Sequence, residues 1–295
     1  MFKLRLKFCT ILLIIVLIIP CNINAKVINN EIDTTSSNIL YNLFSRAKTN
    51  NWSALNYNDL IIKVASEFIN TPYEIGTLEG NYETCRINLN GFDCVTFVEN
   101  VLNIARIIKQ NKYTIDDLFD AIIQTRYREG IISGYTSRLH YTSDWIYQNT
   151  RNKIFQDITN SLRGQKIKFS VNFMSKNPQY YNSLANNPDL IPQIESQENE
   201  INTREYYYIP KNKIKQIENQ LQNGDIICIA TNKSGLDYAH MGFVYKYQDN
   251  TTRLFHASSV QKKVIIDSSI SEYLNSVNSH IGITVLRPIE PDKND

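Results

Sequence analysis

The order in which two hydrophobic rhythms appear along this 295-residue chain constrains its fold more than any other feature. Residues 38–49 and 57–70 show helical spacing, with Leu60, Ile61, Val64, Ala65 and Phe68 on one stripe. The same spacing resumes at Cys94 and continues through Val98, Val101, Leu102, Ala105 and Ile108, a face that must be buried against a sheet or another helix. Residues 115–127 and 141–149 read as further helices, 130–134 as a turn and 166–173 as a strand. Beyond residue 203 the pattern changes. Segments 204–209, 225–230, 239–247, 253–256, 263–267 and 282–286 are rich in β-branched and aromatic residues and are separated by turn-like breaks. Helices followed by an antiparallel sheet predict an α+β domain rather than a doubly wound one. Between the two halves, the Asn-, Gln-, Pro- and Glu-rich stretch around 177–203 reads as an insertion of short helices or mobile loop. With 42% hydrophobic residues over its full length, the chain can bury a core, and segment 26–295 is expected as a single domain.

The first 25 residues stand apart. Lys3, Arg5 and Lys7 precede an unbroken apolar run from Ile11 to Ile19, then Pro20 and a polar stretch ending at Ala25, the pattern of a secretory signal peptide. A retained anchor needs about 20 apolar residues, more than this run supplies. A lipoprotein processed at Cys21 is the other alternative, and Pro20 before the cysteine argues against it. Cleavage after Ala25 predicts an exported, periplasmic protein without stable membrane insertion. It also lowers the formal net charge from +2 to −1, leaving no electrostatic case for nucleic acid. Cys85, Cys94 and Cys228 then remain in an oxidising compartment, an odd number that leaves at least one thiol free. Cys228, in the apolar run Ile226-Ile227-Cys228-Ile229, is expected in the core. A Cys85–Cys94 bridge is the alternative that would silence Cys94.

Chemistry concentrates at Cys94. Asp93 is placed to cap a helix beginning at the cysteine, and unpaired N–H groups at such a terminus favour thiolate over thiol. The sequence carries four histidines, at 140, 240, 256 and 280. His240 and His256 fall in neighbouring expected strands, which can hold both rings on one face. A thiol, a base and a group that orients the base are the parts of nucleophilic attack on an amide. Zinc ligation by Cys94 and the two histidines is an alternative, though neither a Cys-x-x-Cys nor a His-x-x-x-His pair occurs. In the block 137–145, Arg138 can pair with a substrate carboxylate, and His140, Tyr141 and Asp144 can hydrogen-bond sugar or peptide groups. Trp145 can stack on a sugar or pack into the core, and Arg138 can equally pair with Asp144.

Four blocks carry a resemblance: Thr71-Pro72-Tyr73, Asn90-Gly91-Phe92-Asp93-Cys94, Asn223-Gly224-Asp225-Ile226-Ile227 and Ala239-His240-Met241-Gly242-Phe243-Val244. In order and spacing they resemble the NlpC-type, papain-like cell-wall cysteine peptidases. Phe92 to Glu99, Ser137 to Trp145 and Phe255-His256-Ala257-Ser258 further resemble the N-acetylmuramoyl-L-alanine amidase-like branch. The resemblance implies a papain-like α+β fold, Cys94 as nucleophile, His240 as base, His256 as orienter and Tyr73 lining the site and donating to an oxyanion. It also implies substrate contacts from Thr96, Glu99 and Ser258 in the matching blocks. The implied substrates are peptidoglycan fragments, cleaved between 1,6-anhydro-N-acetylmuramic acid and L-alanine by a monomer that needs no cofactor or metal. A γ-D-glutamyl-diamino acid endopeptidase and a catalytically silent wall-binding module are the competing expectations.

Overall fold

The structure, a computed structural model, describes residues 30–247 and 251–292. The expected signal peptide and Cys21 lie outside them. A helical layer comes first. A short parallel pair, β1 (Glu31–Ile32) and β2 (Arg86–Ile87), flanks α1 (Thr34–Thr49) and α2 (Tyr57–Ser66). Next come α3 (Cys94–Lys109), α4 (Ile115–Arg126) and α5 (Thr142–Arg151). Local chemistry sets their starts. The Asp33 side chain accepts the Ser36 N–H ahead of α1, and Asp93/Thr96 and Thr114/Asp117 form capping boxes at α3 and α4.

Helix α3 is the central element. Thirteen of its sixteen residues are buried, so it is enclosed on every side rather than along the single stripe its spacing predicted. Polar residues on it are therefore tied up internally. Glu99 pairs with Arg126 at 2.8 Å, and Asn103 donates to the hydroxyl of Thr125 at 2.8 Å. Its apolar side meets the sheet through Phe97, whose ring lies 5.8 Å from Phe243 and 5.7 Å from Phe255.

After α5 come β3 (Phe155–Asp157) and β4 (Gln165–Ile167), then α6 (Phe173–Lys176), α7 (Asn182–Asn186) and α8 (Ile191–Thr203). The strand expected at 166–173 thus stops at Ile167, and the chain turns into helix. The 177–203 stretch forms short helices. Buried Glu198 of α8 holds it in place by accepting from the Tyr141 hydroxyl at 2.7 Å and the Ser175 N–H at 3.1 Å.

Then follow β5 (Tyr206–Pro210), β6 (Ile226–Thr231), β7 (Tyr238–Lys246), β8 (Thr252–Ser258), β9 (Lys263–Ser269), α9 (Ile270–Asn275) and β10 (His280–Pro288). The sheet runs β4-β5-β10-β6-β7-β8-β9, with β3 also on β10, and its pairings are antiparallel. The last strand therefore sits in the middle. Both faces are covered. On β6, Ile226, Cys228 and Ala230 join the core under the helices, while Ile227 and Ile229 join a second core with Ile283, Val285, Ile270 and Leu274. Two-sided burial explains why this strand reads as a continuous apolar run instead of an alternating one. Cys228 is fully buried, as expected. The sequence patterns missed β1, β2, β3 and α9, all of six residues or fewer.

Candidate active site

Cys94 is the first residue of α3, held by the segment before it. Phe92 is fully buried against Phe68, with ring centroids 5.2 Å apart, and its N–H donates to the Pro72 carbonyl at 3.0 Å. The Glu74 N–H returns a bond to the Phe92 carbonyl at 3.0 Å, and the Tyr73 N–H reaches the Lys262 carbonyl at 2.9 Å. Tyr73 is thereby fixed between the lead-in to α3 and the β8–β9 turn. A Cβ at Gly91 would lie 2.7 Å from Glu74 Cβ, an atom held by the backbone, so glycine suits this crossing.

The sheet presents the histidines. His240 lies on β7 and His256 on β8, their rings perpendicular and 4.7 Å apart, with His240 Nε2 2.5 Å from His256 Nδ1. Gly242 permits the approach, since a Cβ there would lie 2.8 Å from His256 Cβ. His256 Nε2 lies 3.2 Å from Asp267 Oδ2 on β9. This chain assigns the tautomers. The Asp267 carboxylate accepts from His256 Nε2–H, and His256 Nδ1 then accepts from His240 Nε2–H. What remains on His240 is the Nδ1 lone pair.

Electrostatics keep the pair neutral at rest. Burial pushes the Cys94 thiol up to about 12, with Asp93 adding to the shift and the N–H groups of Met241, Cys94 and Val95 opposing it. The lowered thiol pKa expected of a helix N-terminus is thus overturned: desolvation at a crowded position outweighs the amides. Burial and neighbouring His256 and His280 hold His240 well below its ordinary value. Burial also lowers His256, against the opposing pull of Asp267. Tyr73 is pushed up to about 12, first by burial, then by Cys94 and Asp93, so it stays a phenol and a donor.

Cys94 and His240 border a cleft of about 210 Å³ together with His140, Tyr141, Met174, Tyr181 and Asp237. His140 and Tyr141, expected to bind substrate, border the same cleft as Cys94 and His240. The Nε2–H of His140 donates to the Tyr135 carbonyl at 2.8 Å; burial, then Arg138 and Arg128, lower its pKa to about 3, which leaves Nδ1 an acceptor. The Tyr141 hydroxyl is already committed to Glu198 and to the Met174 N–H, so this residue offers its ring.

Other expected contacts are internal. Arg138 is saturated by Glu79 at 2.9 Å and Glu83 at 2.7 Å, and Asp144 by Arg128 at 2.5 Å and Arg204 at 2.7 Å. The Thr96 hydroxyl closes the α3 capping box, Glu99 is buried against Arg126, and buried Ser258 accepts the Gln261 N–H in a turn. Each of these five is satisfied by the fold. Trp145 packs on Phe155, 4.9 Å between rings, as a core residue.

Two site residues escaped the sequence reading. Asp267 lies within an expected strand and, two residues along from Ile265, the partner of His256, shares that histidine's face. Tyr273 of α9 packs 5.0 Å from His256 and 5.7 Å from both His240 and His280. Its only sequence signal was the Ser269-x-x-Glu272 capping box. Cys85, Cys94 and Cys228 are unpaired, and among the described residues no group of three or more His, Cys, Asp or Glu side chains is disposed to hold a metal ion. No helix among these residues is long and apolar enough to cross a membrane.

An α+β domain that sets a thiol and an imidazole at one cleft, with a second histidine bonded behind that imidazole and a tyrosine near the thiol, has the parts of an amide hydrolase. The chain belongs to the N-acetylmuramoyl-L-alanine amidase-like family, whose model matches residues 63–283. A solved N-acetylmuramoyl-L-alanine amidase from Bacteroides uniformis is 36% identical, with 79% of this chain and 99% of that one covered and a TM-score of 0.74. A solved putative xylanase from Bacteroides fragilis is 38% identical over 76% of this chain and 99% of its own, with a TM-score of 0.72. A Legionella pneumophila protein at 23% identity shares the fold, with a TM-score of 0.66 over 86% of this chain and 95% of that one. No curated protein sequence matches.

Proposed function

We propose that this protein is an exported, papain-like cysteine amidase that hydrolyses the amide between the lactyl group of (1,6-anhydro-)N-acetylmuramic acid and L-alanine in peptidoglycan fragments. The observation that carries the reading is the chain from Asp267 through His256 to His240, ending at the cleft that Cys94 borders. Membership of the amidase-like family supports the substrate class. The thiol proton passes to His240 Nδ1 as Sγ attacks the lactyl carbonyl. The developing oxyanion meets N–H groups at the start of α3 and the Tyr73 hydroxyl. As the C–N bond breaks, His240 returns its proton to the alanine nitrogen, leaving a thioester. Water, deprotonated by His240, attacks the thioester carbonyl; the S–C bond breaks, the carboxylic acid leaves and the thiol is restored.

The xylanase name of one neighbour fits this cleft poorly. Glycoside hydrolysis canonically needs two carboxyl groups flanking the bond. Asp237 supplies the cleft's carboxylate among the described lining residues, and its oxygens take the N–H groups of Ser143 and Tyr238, each at 2.7 Å. The test is digestion of purified muropeptides, with mass spectrometry of the products. The expected product is an intact peptide beginning at L-alanine, with Cys94→Ala at least ~10³-fold slower. Peptide release undiminished in Cys94→Ala would sink the mechanism, and cleavage after D-glutamate would replace the substrate bond.

A further inference from the structure

Three of the chain's four histidines meet one aromatic ring. Tyr273 of α9 packs edge-on to His256, with centroids 5.0 Å apart and planes at 74°. It lies 5.7 Å from His240 with planes only 31° apart, and 5.7 Å from His280 with planes at 27°. The near-parallel approach to His240 is the offset arrangement that aromatic rings favour. These histidines belong to β7, β8 and β10, so one ring touches three strands of the sheet.

The ring is held from behind. Ser269 and Glu272 form the capping box that starts α9, and Ile270 and Leu274 of the same helix are fully buried in the second core. Asp267, the acceptor behind His256, precedes that box, and its Oδ1 takes the Ser268 N–H at 2.7 Å. Residues 267–273 thus supply both the carboxylate and the ring. Among the described residues no hydrogen-bond partner holds the Tyr273 hydroxyl, so the ring and not the O–H makes these contacts.

The reaction puts a charge where the contacts converge. When the Cys94 S–H bond breaks and the proton joins His240 Nδ1, sulfur becomes negative and the imidazole positive. His256 accepts from His240 Nε2–H, and Asp267 stands one ring further back. Burial, His256 and His280 all oppose a charge on His240. A tyrosine ring attracts a cation within about 6 Å of its centroid through its quadrupole, more strongly where water is excluded. Tyr273 is the one Phe, Tyr or Trp ring against His240 among the described residues.

We infer that Tyr273 is a positioning residue for the base: its ring fixes the plane of His240, and its π system stabilises the imidazolium that forms as the thiol gives up its proton. This role rests on the proposed reading of His240 as the base of Cys94, and not on which amide is cut. The full chain is prepared with Tyr273→Leu, with Tyr273→Phe, and with phenylalanines bearing one, two or three ring fluorines at position 273. Fluorine withdraws charge from the π face and changes the ring's shape little. Two rates are measured: muropeptide hydrolysis, as kcat and KM, and alkylation of Cys94 by iodoacetamide at neutral pH, Cys85 and Cys228 being buried. Tyr273→Leu is expected to lower kcat about tenfold with KM changed less than about twofold, and Tyr273→Phe to recover most of the loss. Successive fluorines are expected to lower kcat and alkylation stepwise from the Tyr273→Phe values. Tyr273→Leu at the wild-type rate, Tyr273→Phe as slow as Tyr273→Leu, or a flat fluorine series would overturn the proposal. The fluorinated rings fill the native space, so the series decides even if Tyr273→Leu does not fold. Should no muropeptide be cleaved, the amidase reading fails and alkylation decides alone: a stepwise fall upholds the role of the ring, and a flat series overturns it.

Discussion

At the scale of single residues, the site was legible where chemistry and local structure coincide. Asp93 before Cys94 announces a capped helix, and His240 and His256 sit in strands whose neighbours are β-branched and aromatic. Asp267 was not legible, because a carboxylate on an outer strand reads as a solvated face until the register places it beside a histidine. Its role is to hold His256 in the tautomer that orients His240. We expect Asp267→Asn to lower kcat roughly 10- to 100-fold with KM little changed. That is well short of the ~10⁴-fold loss seen when an orienter bonded directly to the base is replaced. Steady-state kinetics check it, and kcat at the wild-type value would remove Asp267 from the relay. Arg138, Asp144 and Glu99 were misjudged for the opposite reason. Their partners Glu79, Glu83, Arg204 and Arg126 lie 27 to 60 residues away in sequence, a pairing no local pattern reveals.

At the scale of elements, the enclosure of α3 decides what its polar residues do. Glu99 and Arg126 form an ion pair with side-chain exposures of 3% and 2%, so neither charge has water to fall back on. Removing one partner of such a pair costs about 3–5 kcal/mol because the other charge is left buried. Arg126→Leu is expected to lower stability by that amount in denaturant unfolding, and Glu99→Gln with Arg126→Leu together by less than the sum. Strict additivity would show that the two residues act independently. Helices and long strands were readable from period, and residues 57–66 and 115–126 match closely. The short strands and α9 were not, since two to six residues hold too little pattern to stand out from loop.

At the scale of the molecule, all four histidines are shifted the same way. His140 lies at about 3, His240 well below its ordinary 6.5, and His256 and His280 are lowered, burial being the first cause in each. Below pH 6.5 the unfolded chain binds protons that the native state refuses, so stability rises with pH through that window and falls as pH drops from 6.5. Each histidine contributes up to about 1.4 kcal/mol per pH unit while only its unfolded form titrates. Burial raises the Asp157 and Asp237 carboxyls, which pull the other way where they titrate, so the histidine window opens at pH 6.5 and runs downward. Calorimetry should show Tm falling across it; a flat profile would contradict the buried, neutral histidines. The place of β10 has a consequence for how the chain comes into being. Because this last strand lies between β5 and β6, the central ladder of the sheet has a gap until residue 288 has been made. Cys94 therefore waits nearly two hundred residues of synthesis before the sheet behind its base can close.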